Sequence, residues 1–437
     1  MSVLLNLGDK ITAGNQADAT LFYKKRVVAD SGTLLTEPET DVNNRELLAQ
    51  KLFDKASIVY TAGGVKAGKN YSVKGTDFDV VRAGVKNVVN RAGVLTEIAS
   101  GVPATEFSDG VLKGTLIEPA GTNLLERSEE FDNEYWGSTE ATITPNAVKA
   151  PNGEQTADNI TFSEASGNVR KTLTGLTIVS GSTMTISLYT KTSVQITAFG
   201  GATSIAGTNV YSFEDVGNGY FRQKVTRTFS ASGTGTVQFL INNANVGAGT
   251  VSVWGAQLET GSVATSYIKT VASTATRPAD VISKTGVSGE IGQVEGFVAV
   301  EVDINNLLGN VGRNIINISS GAVANRIDLT FTSSATNEVR LFVNSGGVGK
   351  TTLTNVKTIT EVGTYRFLIR YGDFGYQAYV NGELTASAVD DISDLSTSVI
   401  GIGSRPFSSQ PFNDHISQAL IGKTAISDAE AIAWTTL

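Results

Sequence analysis

Short runs in which apolar and polar residues alternate, broken by turns rich in glycine and asparagine, recur from Ser57 almost to the C-terminus. The clearest is Thr183-Met184-Thr185-Ile186-Ser187-Leu188-Tyr189. A period of two puts every second side chain on one face of a pleated strand, so each run buries one face and solvates the other. Tyr220 to Phe229, Val237 to Ile241, Val251-Ser252-Val253-Trp254 and Phe297 to Ile304 read as further strands. Many short strands in series bury their apolar faces most economically by packing sheet on sheet. The expected fold is mainly β: tandem antiparallel β-sandwiches of the jelly-roll kind, with a small mixed N-terminal region.

Composition narrows what such a chain does. Its 437 residues exceed one ordinary core and, at roughly 150 residues per domain, predict about three units. Forty-six glycines against eight prolines, with abundant β-branched residues, favour turns and strands over helices. Cysteine is absent, so neither disulfides nor thiolate metal sites contribute. The net charge of −8 comes from dispersed single charges with no basic run to neutralise a row of phosphates, which argues against a nucleic-acid partner. The N-terminal residues show no cationic segment leading into a long apolar stretch, and no segment approaches 18 apolar residues. Synthesis in a cytosol without membrane insertion is the expectation.

Five segments follow. Residues 1–57 contain the Tyr23-Lys24-Lys25-Arg26 cluster and a helical pattern from Asn44 to Phe53, with Leu47, Leu48 and Leu52 on one stripe and Asn43 or Asn44 as cap. This is read as an attachment or assembly region. Residues 58–114 alternate β-branched runs with Gly or Asn turns and read as a connecting region of hairpins. Residues 115–270 read as one sandwich, 271–284 as a linker around Pro278, and 285–437 as a second sandwich. In the last, Asn381-Gly382 between two strands is a strong hairpin signal, and Ser427 with Glu430 forms a capping box for a closing helix.

Three stretches resemble a module recurrent in tail-fibre and other structural proteins of tailed phages. They are Leu116-Ile117-Glu118-Pro119-Ala120-Gly121-Thr122-Asn123-Leu124-Leu125 with its continuation to Tyr135-Trp136, then Val216-Gly217-Asn218-Gly219-Tyr220-Phe221-Arg222, then Trp254-Gly255-Ala256-Gln257-Leu258-Glu259 running on to Tyr267-Ile268. The resemblance implies a carbohydrate-binding-module-like jelly roll. Asn90 to Phe107 is similar to what precedes that module in phage proteins, with Arg82-Ala83-Gly84-Val85 where an Arg-Ala-Ser-Thr-like run is usual. Tyr379-Val380-Asn381-Gly382 and Ile426-Ser427-Asp428-Ala429-Glu430 resemble concanavalin A-like or laminin G-like sandwiches. The resemblance implies a virion structural protein, a fibre or a capsid or tail decoration subunit on the particle surface. Its expected partners are other virion proteins through the N-terminal region, copies of itself in a homotrimer, and host-surface polysaccharide.

Candidate catalytic motifs fail on context, so neither catalytic residues nor a cofactor or metal are expected. Ser345-Gly346-Gly347-Val348-Gly349-Lys350-Thr351-Thr352 nearly spells a phosphate-binding loop, but a β-branched run follows where a helix must open. Glu301 and Asp303 share a strand face, as glycosidase carboxylates do, yet the third carboxylate expected near Asn305 is missing. They read as the solvated face of a strand whose buried face is Val298, Val300, Val302 and Ile304. His415 is the sole histidine, with Asp414 to orient it and Ser408 or Ser409 as neighbours, but no nucleophile-elbow pattern exists. Asp390, Asp391 and Asp394 do not have calcium-loop spacing. Sugar binding uses exposed aromatic faces. Tyr135, Trp136, Tyr220, Trp254, Tyr371, Phe374 and Tyr376 are the candidates, most of them expected to anchor cores. Trp136 and the turn carrying Tyr371, Phe374 and Tyr376 are the selected ligand contacts.

Overall fold

The computed structural model describes residues 48–49, 51–63, 77–243, 247–309, 311–390, 395–406 and 410–437, with the backbone alone at 351–354. The basic cluster at Tyr23 to Arg26, the helix cap at Asn43 or Asn44, Leu47, Asp391, Asp394, Ser408 and Ser409 lie outside them. The described chain is two β-sandwiches with three short helical segments, at residues 48–49 and 51–55, at Ser288–Glu290 and at Asp428–Thr435.

The larger sandwich packs an eight-stranded sheet on a seven-stranded one. In the first, Glu383–Ala388, Gly375–Val380, Gly363–Gly372, Gly296–Ile304, Asp414–Gly422, Val111–Ile117 and Thr105–Ser108 lie side by side. Ala56–Thr61 also pairs with Asp414–Gly422, placing Tyr60 opposite Ala419. The second sheet runs Asp79–Val81, Val281–Lys284, Val399–Ile402, Arg313–Ser319, Arg326–Phe331, Glu338–Ser345 and Val348–Thr358. Val298, Val300, Val302 and Ile304 all enter the core between the sheets, as their alternation requires.

The opposite face of that strand is not left to solvent. Phe297 and Ala299 are covered by the C-terminal helix Asp428–Thr435 through Trp434, together with Leu52 of the helical residues 51–55. Ser427 caps the closing helix, and Glu430 completes the capping box as the sequence predicts. Coverage of both faces explains why five of the six residues of Ala56–Thr61, all but Ser57, are buried instead of alternating.

The smaller sandwich is the predicted jelly roll. Six strands, Gly207–Asp215, Phe221–Phe229, Thr183–Thr190, Gly249–Thr260, Ala157–Phe162 and Ala141–Val148, face four, Thr197–Phe199, Gly233–Asn242, Asn168–Ile178 and Gly137–Thr139. Ile186, Leu188, Val225, Val237 and Phe239 fill its core. The Ser345 to Thr352 motif is a hairpin: Ser345 pairs with Val348, and Gly346 and Gly347 take the two positive-φ positions of the turn. A strand follows it, so the helix dipole of a phosphate site is missing.

The division into successive segments differs from the observed topology. Residues 58–114 supply strands Asp79–Val81 and Thr105–Ser108 to the larger sandwich, and 271–284 supplies Val281–Lys284. The jelly roll is therefore an insertion: the chain leaves the larger sandwich after Ile117 and returns at Val281. At the crossing, Gly121–Asn123 pairs with Ala275–Arg277. A buried charge network closes it. Asp280 binds Arg82 at 3.0 Å and Lys86 at 2.6 Å, while Glu118 binds Lys86 and Arg277, each at 3.1 Å. Burial opposes ionisation of Glu118, but Lys86 and Arg277 outweigh it and hold the carboxyl well below the usual range.

Candidate functional site

Between the two sandwiches lies a cavity of about 930 Å³. The jelly roll's six-stranded sheet supplies one wall. Cross-strand pairing sets Ser212 opposite Lys224 and Glu214 opposite Arg222, so these four side chains share its outer face. The outer face of the eight-stranded sheet supplies the other wall: Thr105–Ser108 contributes Glu106, Val111–Ile117 contributes Lys113, and Asp414–Gly422 contributes His415. Asn305 and Asn306 follow the Gly296–Ile304 strand and line the same space.

The end of the cavity is closed by the hairpin Lys86–Val89 and Leu95–Ile98. Leu95 and Val89 pack into the jelly roll against Tyr189, Tyr220, Trp254 and Tyr267. Asn218 donates to the Gly93 carbonyl at 2.8 Å, which ties the hairpin tip to the facing turn. Asn87 donates to the Tyr267 carbonyl at 3.0 Å.

Several charges on or beside the walls are matched locally, whereas the lining residues Asp109 and Asp215 have no cation partner among the described residues. Glu106 Oε2 lies 2.6 Å from His415 Nε2, and its other oxygen accepts from the Val89 amide at 3.3 Å. Asn305 Nδ2 lies 3.1 Å from His415 Nδ1, so both ring nitrogens are held. Burial alone would lower the histidine pKa; the hydrogen bond and charge of Glu106, with Asp414 and Asp303, reverse this and raise it. Lys113 pairs with Asp303. On the facing wall Lys224 holds Glu214, whose carboxyl is drawn down to about 2. Arg222 donates to Ser187 at 3.0 Å and to the Thr265 carbonyl at 2.5 Å, with its guanidinium 5.3 Å from the Tyr189 ring centre.

The aromatic contacts expected from sequence are placed elsewhere. Trp136 is 5% exposed, wedged among Phe131, Tyr135 and Phe239, with its indole N–H donated to the Arg127 carbonyl. Tyr371 and Tyr376 are fully buried and stacked, and the Tyr371 hydroxyl donates to the Gly292 carbonyl. These three cannot offer a ring face to a sugar, because each ring fills a core. Phe374 is half-buried with the Arg370 guanidinium 4.3 Å above its ring. Tyr220 and Trp254 are core residues, as expected of most, and Tyr135 is half-buried beneath Lys171.

Two ion-pair readings also change. Glu301 is bound by Arg366 at 2.6 Å and Asp303 by Lys113, so their face is partnered, not solvated. Asp414 does not orient His415: neighbours on a strand point to opposite faces, and Asp414 is buried against Arg313 at 3.2 Å. Among the described residues no group of three or more acidic, histidine or cysteine side chains is arranged to hold a metal ion, and no helix is long and apolar enough to cross a membrane. The cavity residues Lys113, Ser212, Glu214 and Lys224 sit in no motif, and Glu106 and Asn305, though within stretches singled out above, carried no signal for this cavity.

No family model matches the chain, and no curated protein is similar to it. Solved structures give partial likenesses. The CBM40 of Ruminococcus gnavus IT-sialidase is 18% identical, covering 33% of this chain and 84% of its own, with a TM-score of 0.28. Domain 4 of AbnA, a GH43 extracellular arabinanase from Geobacillus stearothermophilus, in complex with arabinotriose, is 13% identical over 36% of this chain and 73% of its own, with a TM-score of 0.29. Mouse laminin alpha1 domains LG4-5 are 10% identical over 75% of this chain and 96% of their own, with a TM-score of 0.22. Likenesses at these values transfer no ligand, and the β-sandwich architecture stands on the strand pairing itself.

Proposed function

We propose that this chain is a tailed-phage virion protein, a fibre or decoration subunit, that displays its sandwiches on the particle surface for adhesion to host-surface glycans. The phage part is supported by the three stretches that resemble the phage module, which converge in space. Asn123 from the first donates to the carbonyls of Ala256 and Ile268 from the third, and Tyr220 from the second packs with Trp254 and Tyr267. The observation that carries adhesion is the cleft: a large concavity of mixed polar and apolar lining whose walls come from two sandwiches fixed by a buried charge network. Depolymerisation through Glu301 and Asp303 finds no support, because separate cations, Arg366 and Lys113, hold the two carboxylates.

On this reading the N-terminal region docks on other virion proteins and the chain assembles as a homotrimer. Immunogold labelling of purified virions tests the location, and sedimentation of the purified chain tests the trimer. Retention of the protein on host cells and on extracted host polysaccharide tests adhesion. Labelled particles and saturable retention are the expected results. Unlabelled virions overturn the phage reading, and failure to bind cells and polysaccharide overturns adhesion in favour of a purely structural role.

A further inference from the structure

We propose that two copies of this chain join edge to edge through the strand Gly207–Asp215, merging their six-stranded sheets into one, a contact that goes beyond the adhesion reading above. The strand is the outer one of its sheet and pairs with Phe221–Phe229 over all nine of its residues without a bulge. The Ser230 amide donates to the Ala206 carbonyl at 2.9 Å, which fixes the phase of that pairing. Thr208, Val210, Ser212 and Glu214 therefore turn their backbone groups toward Phe221–Phe229, whereas Gly207, Asn209, Tyr211, Phe213 and Asp215 direct theirs away from it. A row of outward N–H and C=O groups is a template for another strand.

The other edge strands of eight residues or more are blocked, among those described. Ala141–Val148, on the opposite side of the same sheet, contains Pro145, which has no N–H, and Asn146 at positive φ. Val348–Thr358 carries Lys350 and Lys357 and shifts register twice against its neighbour. Gly207–Asp215 has no proline, lysine or bulge, and its Val210, Tyr211 and Phe213 are 66%, 47% and 44% exposed.

The strand's own order of residues selects a second copy as the occupant. A two-fold axis beside Tyr211 sets Tyr211 against its copy, Asn209 against Phe213 and Gly207 against Asp215. These are the residues whose backbone groups face outward, so each pair exchanges two hydrogen bonds. Glu214 falls opposite Thr208, so no like charges meet, whereas a parallel copy would set Glu214 and Asp215 against themselves. The side chains match as well. Asn209, Tyr211 and Phe213 lie on the face that continues the core, beside Arg227, Val225 and Gln223. The facing strand Thr197–Phe199 packs against Phe221–Phe229 and Thr183–Thr190 and leaves both rings half uncovered. In the pair the two Tyr211 rings lie side by side and Phe213 covers Asn209 across the seam. A two-fold contact does not close a trimer; in an assembly of trimers it links one to the next.

The experiment is sedimentation velocity of the full chain at micromolar concentration. Wild type is compared with Tyr211→Lys, which places like charges at the two-fold axis, and with Val323→Lys, the same charge change at an exposed position of the larger sandwich. Circular dichroism checks folding. Because the chain has no cysteine, Tyr211→Cys reads the register: residues 211 of the two copies would have Cα atoms about 5.5 Å apart, within disulfide reach. The expected results are a wild-type particle of twice the mass of Tyr211→Lys, Val323→Lys unchanged from wild type, and a covalent dimer on oxidation of Tyr211→Cys but not of Val323→Cys. A wild type no heavier than a folded Tyr211→Lys overturns the second copy as occupant, whether a strand of another protein takes the edge or none does. Absence of the covalent dimer overturns the register and the proposal with it, and this readout decides if Tyr211→Lys does not fold.

Discussion

Lys86 and Asp280, 194 residues apart in sequence, meet at 2.6 Å with both side chains almost wholly buried. The pair spans the point where the jelly roll is inserted, and Asp280 also binds Arg82 and accepts from the Glu118 amide. Removing one member of a buried charge network leaves its partners uncompensated, at a cost of about 3–5 kcal/mol. Asp280→Ala is therefore expected to lower stability by about that amount in urea unfolding followed by tryptophan fluorescence. A change below about 1 kcal/mol, the scale of an exposed pair, would show that the network is dispensable.

Acid stability depends on Glu118. A carboxyl held below its unfolded value contributes stability that is complete above that value, near pH 4.3, and is lost as pH falls toward the folded value. The midpoint of thermal unfolding should drop steeply as pH falls below about 4.3, and Glu118→Gln should lose stability at neutral pH while flattening this acid limb. An unchanged acid limb in the variant would contradict the assignment.

His415 acts in the opposite direction. Its raised pKa adds stability that is complete below the unfolded value of about 6.5 and disappears as pH rises through the folded value. Thermal midpoints between pH 6 and 9 should decline in wild type and decline less in His415→Gln. Equal slopes would show that the Glu106 contact does not favour the imidazolium.

Trp136 separates core from contact. As a buried core aromatic, its replacement by alanine should destabilise the chain by about 3–5 kcal/mol, whereas Phe374→Ala, at a half-buried position, should cost far less. Denaturant midpoints read both. A fully stable Trp136→Ala would mean the indole is not part of the jelly-roll core.

The strands of the jelly roll were legible because their information is local. Thr183 to Tyr189 states its own alternation, and the six-stranded sheet contains that strand with Ile186 and Leu188 in the core, but the polar face expected to be solvated is buried as well. Asn381-Gly382 and the Ser427–Glu430 box likewise carry their geometry within four residues. What escaped is nonlocal. Nothing in Ala56–Thr61 announces a partner strand at Asp414–Gly422, so the insertion was read as a series of segments. Glu106 and His415 are separated by 309 residues, and only the sheet order brings them together. The aromatics failed for another reason: residue type shows that a ring can stack on a sugar but not which way it points, and Trp136, Tyr371 and Tyr376 point inward.

Since Gly121–Asn123 and Ala275–Arg277 are hydrogen-bonded neighbours, the jelly roll joins its host through two strands that run side by side. A domain attached in this way resembles a cassette in a frame. It can be exchanged for another whose ends lie equally close, while the frame keeps its sheets and the buried charges that close the seam. Exchanging the insert then changes the surface that the jelly roll presents without altering the sheets of the frame.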